Sequence, residues 1–188
     1  MNTVKPDYLP GHVTWHSSAS TQALAEHLAT AIASCLTREL EHRPRVSLAV
    51  SGGRTPTAMF TALSQQPIAW HQVDITLVDE RWVAEDQADS NAALVRQHLL
   101  QNAATKANFI TLFNGAPSNE AGCQGCHQQL QQLVRPIDVM VLGMGNDGHT
   151  ASLFPNCPNL AHAMSPTNPS LCSATTAPVE PSQRITLS

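Results

Sequence analysis

Chemistry is concentrated in the segment "VMVLGMGNDGHTASLFP", Val139 to Pro155, where an apolar run ends in Gly143, Gly145, Asp147, Gly148 and His149. An imidazole with its ordinary pKa near ~6.5 exchanges protons at neutral pH, and a well-placed general base is worth roughly 10²–10⁴ in rate. Asp147, two residues before His149, is spaced to orient or charge-balance the ring. The glycines clear room for a ligand beside it, although a sharp turn after a buried strand needs glycine as well.

Two other segments carry anion chemistry. "SGGRTP", Ser51 to Pro56, follows an apolar run and opens a helical one, with Thr55 placed as N-cap and Pro56 as first helical residue. Paired Gly52 and Gly53 let backbone N–H groups approach an anion at a helix N-terminus, where the helix dipole favours negative charge. A plain tight turn accounts for the string equally well. In "DERW", Asp79 to Trp82, Arg81 offers a planar fork that fits phosphate oxygens, with Asp79 or Glu80 free to position it or to meet substrate hydroxyls. A solvated strand end would also carry three charges.

Three pattern matches fail on context. "SGGRTP" lacks the spacing of a P-loop. Gly143, Gly145 and Gly148 match G-x-G-x-x-G, but no Asp or Glu lies between His149 and Glu180 to hold a ribose, and Pro155 cuts short any following helix. A nicotinamide cofactor is therefore rejected. Cys123, Cys126 and His127 match a haem-attachment pattern inside helix-like sequence with no export signal, which reads as coincidence. Cys157 with His162 is only a loose zinc candidate, so no metal and no cofactor are expected.

These residues need a frame. Apolar β-rich runs alternate with segments of helical period: a short strand over Val13 to His16, a helix over Ser20 to His42, and a strand over Arg45 to Val50. A helix follows from Pro56, then one strand over Asp74 to Glu80, a helix through "SNAALVRQHLL", a strand in "NFITLF" and a helix over Glu120 to Val134. The first helix predicts an apolar face of Leu24, Leu28, Ala31, Ile32, Cys35, Leu36 and Leu40. "IDVMVLGMG" is the most apolar strand. Between Pro155 and Pro181 lie six of the 13 prolines, a loop region with one strand near Leu171 to Thr175. "RITLS" ends the sequence inside another strand.

The alternation predicts an α/β fold: a three-layer, Rossmann-like, mostly parallel sheet with helices on both faces. In such sheets ligands bind outside the carboxyl ends of the strands, where "SGGRTP", "DERW" and "GNDGH" would converge. The 188 residues fit one domain, and 42% hydrophobic with 13% charged residues is globular rather than disordered. A net charge of −4 argues against a nucleic-acid surface, so positive charge for an anion must be local. No run reaches the ~20 apolar residues of a membrane span. The N-terminus does not read as a signal peptide, and five cysteines in such a chain point to reduced thiols and the cytoplasm.

Taken together, "SGGRTP", "DERWV", "GMGNDGHTASLFP" and "RITL" resemble the 6-phosphogluconolactonases, which share a superfamily with glucosamine-6-phosphate deaminase. The resemblance runs in order over roughly Val13 to Ser188. It implies metal-free hydrolysis of 6-phospho-D-glucono-1,5-lactone, with His149 activating water and then protonating the ring oxygen. Gly52, Gly53, Arg54 and Thr55 would frame the sugar-phosphate pocket, Arg81 and Arg184 would bind phosphate, and amides of the turn around Gly145 would meet the oxyanion. The deaminase branch carries an acidic residue soon after the Gly-His pair, where this sequence has Ser152, Leu153, Phe154 and Pro155. Relatives continue past "RIT" with more structure and a phosphate-binding lysine, so the sequence reads as lacking a C-terminal segment. That leaves a non-catalytic sugar-phosphate binder as a second alternative, and a monomer or weak homo-oligomer as the expected state.

Overall fold

The computed structural model describes residues 9–188. Its frame is a parallel sheet built from β1 (Val46–Val50), β2 (Val73–Leu77), β4 (Asn108–Ile110) and β5 (Val139–Val141), in the order β4-β2-β1-β5. Every residue of β1 and β2 is buried. Burial on both faces explains why these strands are mainly apolar, and their polar members Ser47, Asp74 and Thr76 are each held by hydrogen bonds. A second, antiparallel sheet of β3 (Asp79–Arg81), β7 (Gln183–Leu187) and β6 (Cys172–Thr176) has β7 at its centre.

The expected single strand over Asp74 to Glu80 is two strands in two sheets. Val78 is the joint: its N–H donates to Val50 O of the parallel sheet at 2.9 Å, and its carbonyl accepts from Leu187 N of the antiparallel sheet at 2.9 Å. "RITLS", read as an unfinished strand, is paired along both edges.

Helix α1 (Thr21–Leu40) starts at Ser20, whose Oγ accepts from Ala23 N at 3.1 Å. Its buried stripe is Ala25, Ala29, Ile32, Ala33 and Leu36. The expected apolar face holds at Ile32 and Leu36 and fails at its start: small alanines permit close packing on α2 (Thr57–Ser64), while Leu24 and Leu28 are exposed beside a cleft. Helix α2 begins one residue later than expected, with Pro56 as its N-cap and Thr55 in the preceding turn. Helix α3 (Asn91–His98) packs on α2 and β3, and α4 (Asn119–Leu130) on β6 and β7. A short helix α5 (Leu160–Ala163), not foreseen in the proline-rich region, also meets β6.

Two further expectations need correction. Val13 to His16 forms no strand; Trp15 is exposed there, and no sheet edge receives the segment. The apolar run around β5 is not fully covered either. Only three of its residues pair, as the edge strand, and Met140, Leu142 and Met144 are 45%, 51% and 82% exposed. Cys123 and Cys126 lie on α4 against Cys172 of β6, all with free thiols. The Cys172 contact and burial push the Cys123 thiol far up, which suits a packed thiol cluster rather than a reactive one.

Candidate active site

The C-terminal ends of β1 and β5 and the antiparallel sheet enclose one side of a cleft of about 840 Å³. Ser51, Gly52, Gly53, Arg54 and Thr55 line it after β1, Asp79 and Arg81 from β3, Gly143, Gly145 and His149 after β5, and Arg184 from β7. Asp147 touches the cleft group through His149. Gly52, Gly53, Arg54, Thr55, Asp79, Arg81, Gly145, His149 and Arg184 thus meet at one rim, whereas Glu80 and Gly148, also singled out in the sequence, do not line it.

His149 is held from three sides. Its Nδ1 lies 2.5 Å from Asp147 Oδ1, and this hydrogen bond holds the Asp147 carboxyl below its ordinary range. The carboxylate therefore accepts from Nδ1–H, which leaves the Nε2 lone pair for a proton. Phe154, buried, backs the ring at 4.4 Å between centroids. Below it is Gly145, where a Cβ would stand 2.3 Å from both His149 Cε1 and Nδ1. Gly145 N donates to His149 O at 2.8 Å and Gly148 N to Gly145 O at 3.0 Å, closing the turn. These two amides are occupied within the turn itself, so any amide the turn offers an oxyanion must be another of its N–H groups. Gly52 and Gly53 N–H, across the cleft, make no hydrogen bond among the described residues.

The cationic side is made by strand register. Arg81 of β3 stands directly opposite Arg184 of β7 in the antiparallel ladder. Like charges placed so are destabilising unless an anion joins them. Arg184 is 5% exposed and its Nε has no partner among the described residues, and burial, with Arg81 next, pushes its pKa below the ordinary value. Asn119 Nδ2 of α4 fixes the Arg184 backbone by donating to its carbonyl at 2.7 Å. Arg81 Nη1 donates to Asp89 O at 2.5 Å, which leaves most of its fork unused. With Arg54, three guanidinium groups line the cleft of a chain whose net charge is −4.

Asp79 lies between the two sides. Burial pushes its carboxyl up, while the 2.6 Å bond from Ser152 Oγ and the charges of Arg81, Arg184 and His149 pull it down. Sequence reasoning missed Ser152 and Phe154 as site residues, although both lie in the segment it singled out. It also missed Asn91, whose Nδ2 donates to Asp79 O at 2.9 Å and whose side chain occupies the space a Gly52 Cβ would need. Among the described residues no cluster of His, Cys, Asp or Glu is arranged to hold a metal ion, and no helix is long and apolar enough to cross a membrane.

The family of "Glucosamine-6-phosphate isomerases/6-phosphogluconolactonase" matches residues 19–188. A 6-phosphogluconolactonase of Pseudomonas aeruginosa is 48% identical over 177 residues, which are 94% of this chain and 73% of that protein. One of Pseudomonas putida is 41% identical over 179 residues, 95% of this chain and 74% of that protein. Among solved structures, a 6-phosphogluconolactonase of Shewanella baltica superimposes with a TM-score of 0.86 at 47% identity, over 90% of this chain and 72% of that one. With sequence and fold both matched over nearly its whole length, the chain belongs to the glucosamine-6-phosphate isomerase/6-phosphogluconolactonase family.

Proposed function

We propose that the chain hydrolyses 6-phospho-D-glucono-1,5-lactone to 6-phospho-D-gluconate, the reaction of the oxidative pentose phosphate pathway for which its relatives are named. The observation that carries this reading is the facing pair Arg81 and Arg184 at the rim that also bears His149. The two guanidinium groups take the phosphate, and Arg54, Thr55 and the free amides of Gly52 and Gly53 frame the sugar. His149 Nε2 removes a proton from water as its oxygen attacks the lactone carbonyl. Collapse of the tetrahedral intermediate breaks the bond to the ring oxygen, which receives that proton from the imidazolium. Asp147 keeps Nδ1 protonated and the ring in place, and Asp79 meets substrate hydroxyls. Nothing in this scheme requires a metal or cofactor.

A deaminase reading has no acidic group in the segment after His149 to support it, since Ser152 turns inward to Asp79 and Phe154 packs on the imidazole. The deciding experiment is acid release from freshly generated lactone, corrected for spontaneous hydrolysis, beside ammonia release from glucosamine 6-phosphate. Fast acid release without ammonia supports the proposal; ammonia at a useful rate, or lactone decay at the spontaneous rate, overturns it.

A further inference from the structure

We infer that Glu80 is a positioning residue for phosphate recognition, a single buried anchor that aligns both the arginine pair and the glycine loop of the cleft; the inference rests on the function proposed above. Glu80 is fully buried and does not line the cleft. Its Oε1 accepts from Arg81 N and Asn91 N, each at 2.8 Å. Its Oε2 accepts from Ala92 N at 2.8 Å and Ser90 Oγ at 3.3 Å. One carboxylate therefore ties β3 to the first turn of α3 and closes the exposed loop between them.

Both arms of the site hang from that tie. The loop delivers Asp89 O to Arg81 Nη1, which sets the direction of the fork opposite Arg184. The first helical residue, Asn91, bonds Asp79 O and packs against Gly52, so a shift of α3 moves the glycine loop. Among the described residues neither His149 nor Asp147 forms a hydrogen bond with Glu80, Arg81 or Asn91; their side-chain hydrogen bond is the one they share. Glu80 accordingly governs where phosphate sits, and not the proton transfer.

Glu80→Gln tests this, because the amide keeps the size but presents an NH₂ to two donors. The expected result is a KM for the phosphorylated lactone raised about tenfold, the scale of one charge-assisted hydrogen bond, with kcat within about twofold. Titration of inorganic phosphate by calorimetry weakens by about the same factor. For unphosphorylated glucono-1,5-lactone, kcat/KM is the same in both proteins. An unchanged KM and phosphate affinity, or a fall confined to kcat, overturns the inference. If the glutamine variant does not fold, Ser90→Gly takes its place, since glycine retains most of the capping but removes the hydroxyl from Oε2; a KM raised about twofold supports the inference and an unchanged one overturns it. A wild-type protein that binds phosphate but leaves the lactone intact refutes the proposed function instead, and the phosphate titration then still decides the role of Glu80.

Discussion

Replacing Gly145 with alanine separates catalytic geometry from stability. The backbone there lies outside the left-handed region, so alanine adds no conformational strain. Its Cβ, however, would stand 2.3 Å from the His149 ring and 2.7 Å from Asp147 Oδ1. Ordinary contact begins at 3.4 Å, so the imidazole has to retreat by about 1 Å, and a displacement of that size costs roughly 10²-fold in rate. Its two neighbours are internal controls. Gly143→Ala meets only Ser51 Oγ at 3.8 Å and should behave like the wild type. Gly148→Ala meets nothing but has φ +86°, so it loses roughly 1–2 kcal/mol of stability instead. Initial rates of lactone hydrolysis and thermal melts on the three variants distinguish these outcomes. A wild-type kcat in Gly145→Ala, or an equal kcat loss in Gly143→Ala, refutes the claim that close packing on the imidazole sets its position.

His149→Ala should lower kcat by about 10²–10⁴ with the melt nearly unchanged, because the side chain is 31% exposed and anchors no core; near-normal turnover removes it from the mechanism. Arg184→Lys keeps the charge but loses the fork, so KM should rise at least about tenfold while kcat changes little, as steady-state kinetics will read. Stability should depend on Glu80 between pH 4.5 and 7. Burial, opposed by the backbone N–H groups of Asn91, Ala92 and Arg81, holds its carboxyl at about 7 against an ordinary 4.5. The folded protein then keeps a proton that the unfolded chain has lost, so this contribution, about 3 kcal/mol, is present below 4.5 and disappears as the pH rises to about 7. Asp79, also raised, acts with the same sign, whereas Asp147 acts oppositely and only below 3.8. Melting temperature against pH should therefore fall less steeply in Glu80→Gln; identical slopes contradict the assignment.

The alternation of strands and helices was legible because β1 and β2 are buried on both faces and α1 is long enough to show its period. The rim was legible because Gly52, Arg81 and His149 each follow a strand in a fold that gathers such ends on one side. Other features arise only from tertiary pairing. Val78 looks like any strand residue, yet its two backbone groups serve different sheets. On α1 the period located Ile32 and Leu36 but not Ala25, Ala29 and Ala33, whose small size allows close approach to α2 and frees Leu24 and Leu28 to face the cleft. Ser152 donates to a carboxylate 73 residues away, and the facing of Arg81 and Arg184 depends on a register that neither local sequence encodes. Glu80 could be read as a partner of Arg81, but its reach to the start of α3 could not, and Asn91 read as an ordinary helix start although it bonds Asp79 and packs on Gly52.

A structure of the protein crystallised with 6-phosphogluconate tests the central claim most directly. The account predicts the phosphate bridging the Arg81 and Arg184 guanidinium groups, with the newly formed carboxylate within hydrogen-bonding reach of His149 Nε2. A phosphate bound elsewhere while those two arginines stay empty, or a carboxylate at the far end of the cleft from His149, would contradict it.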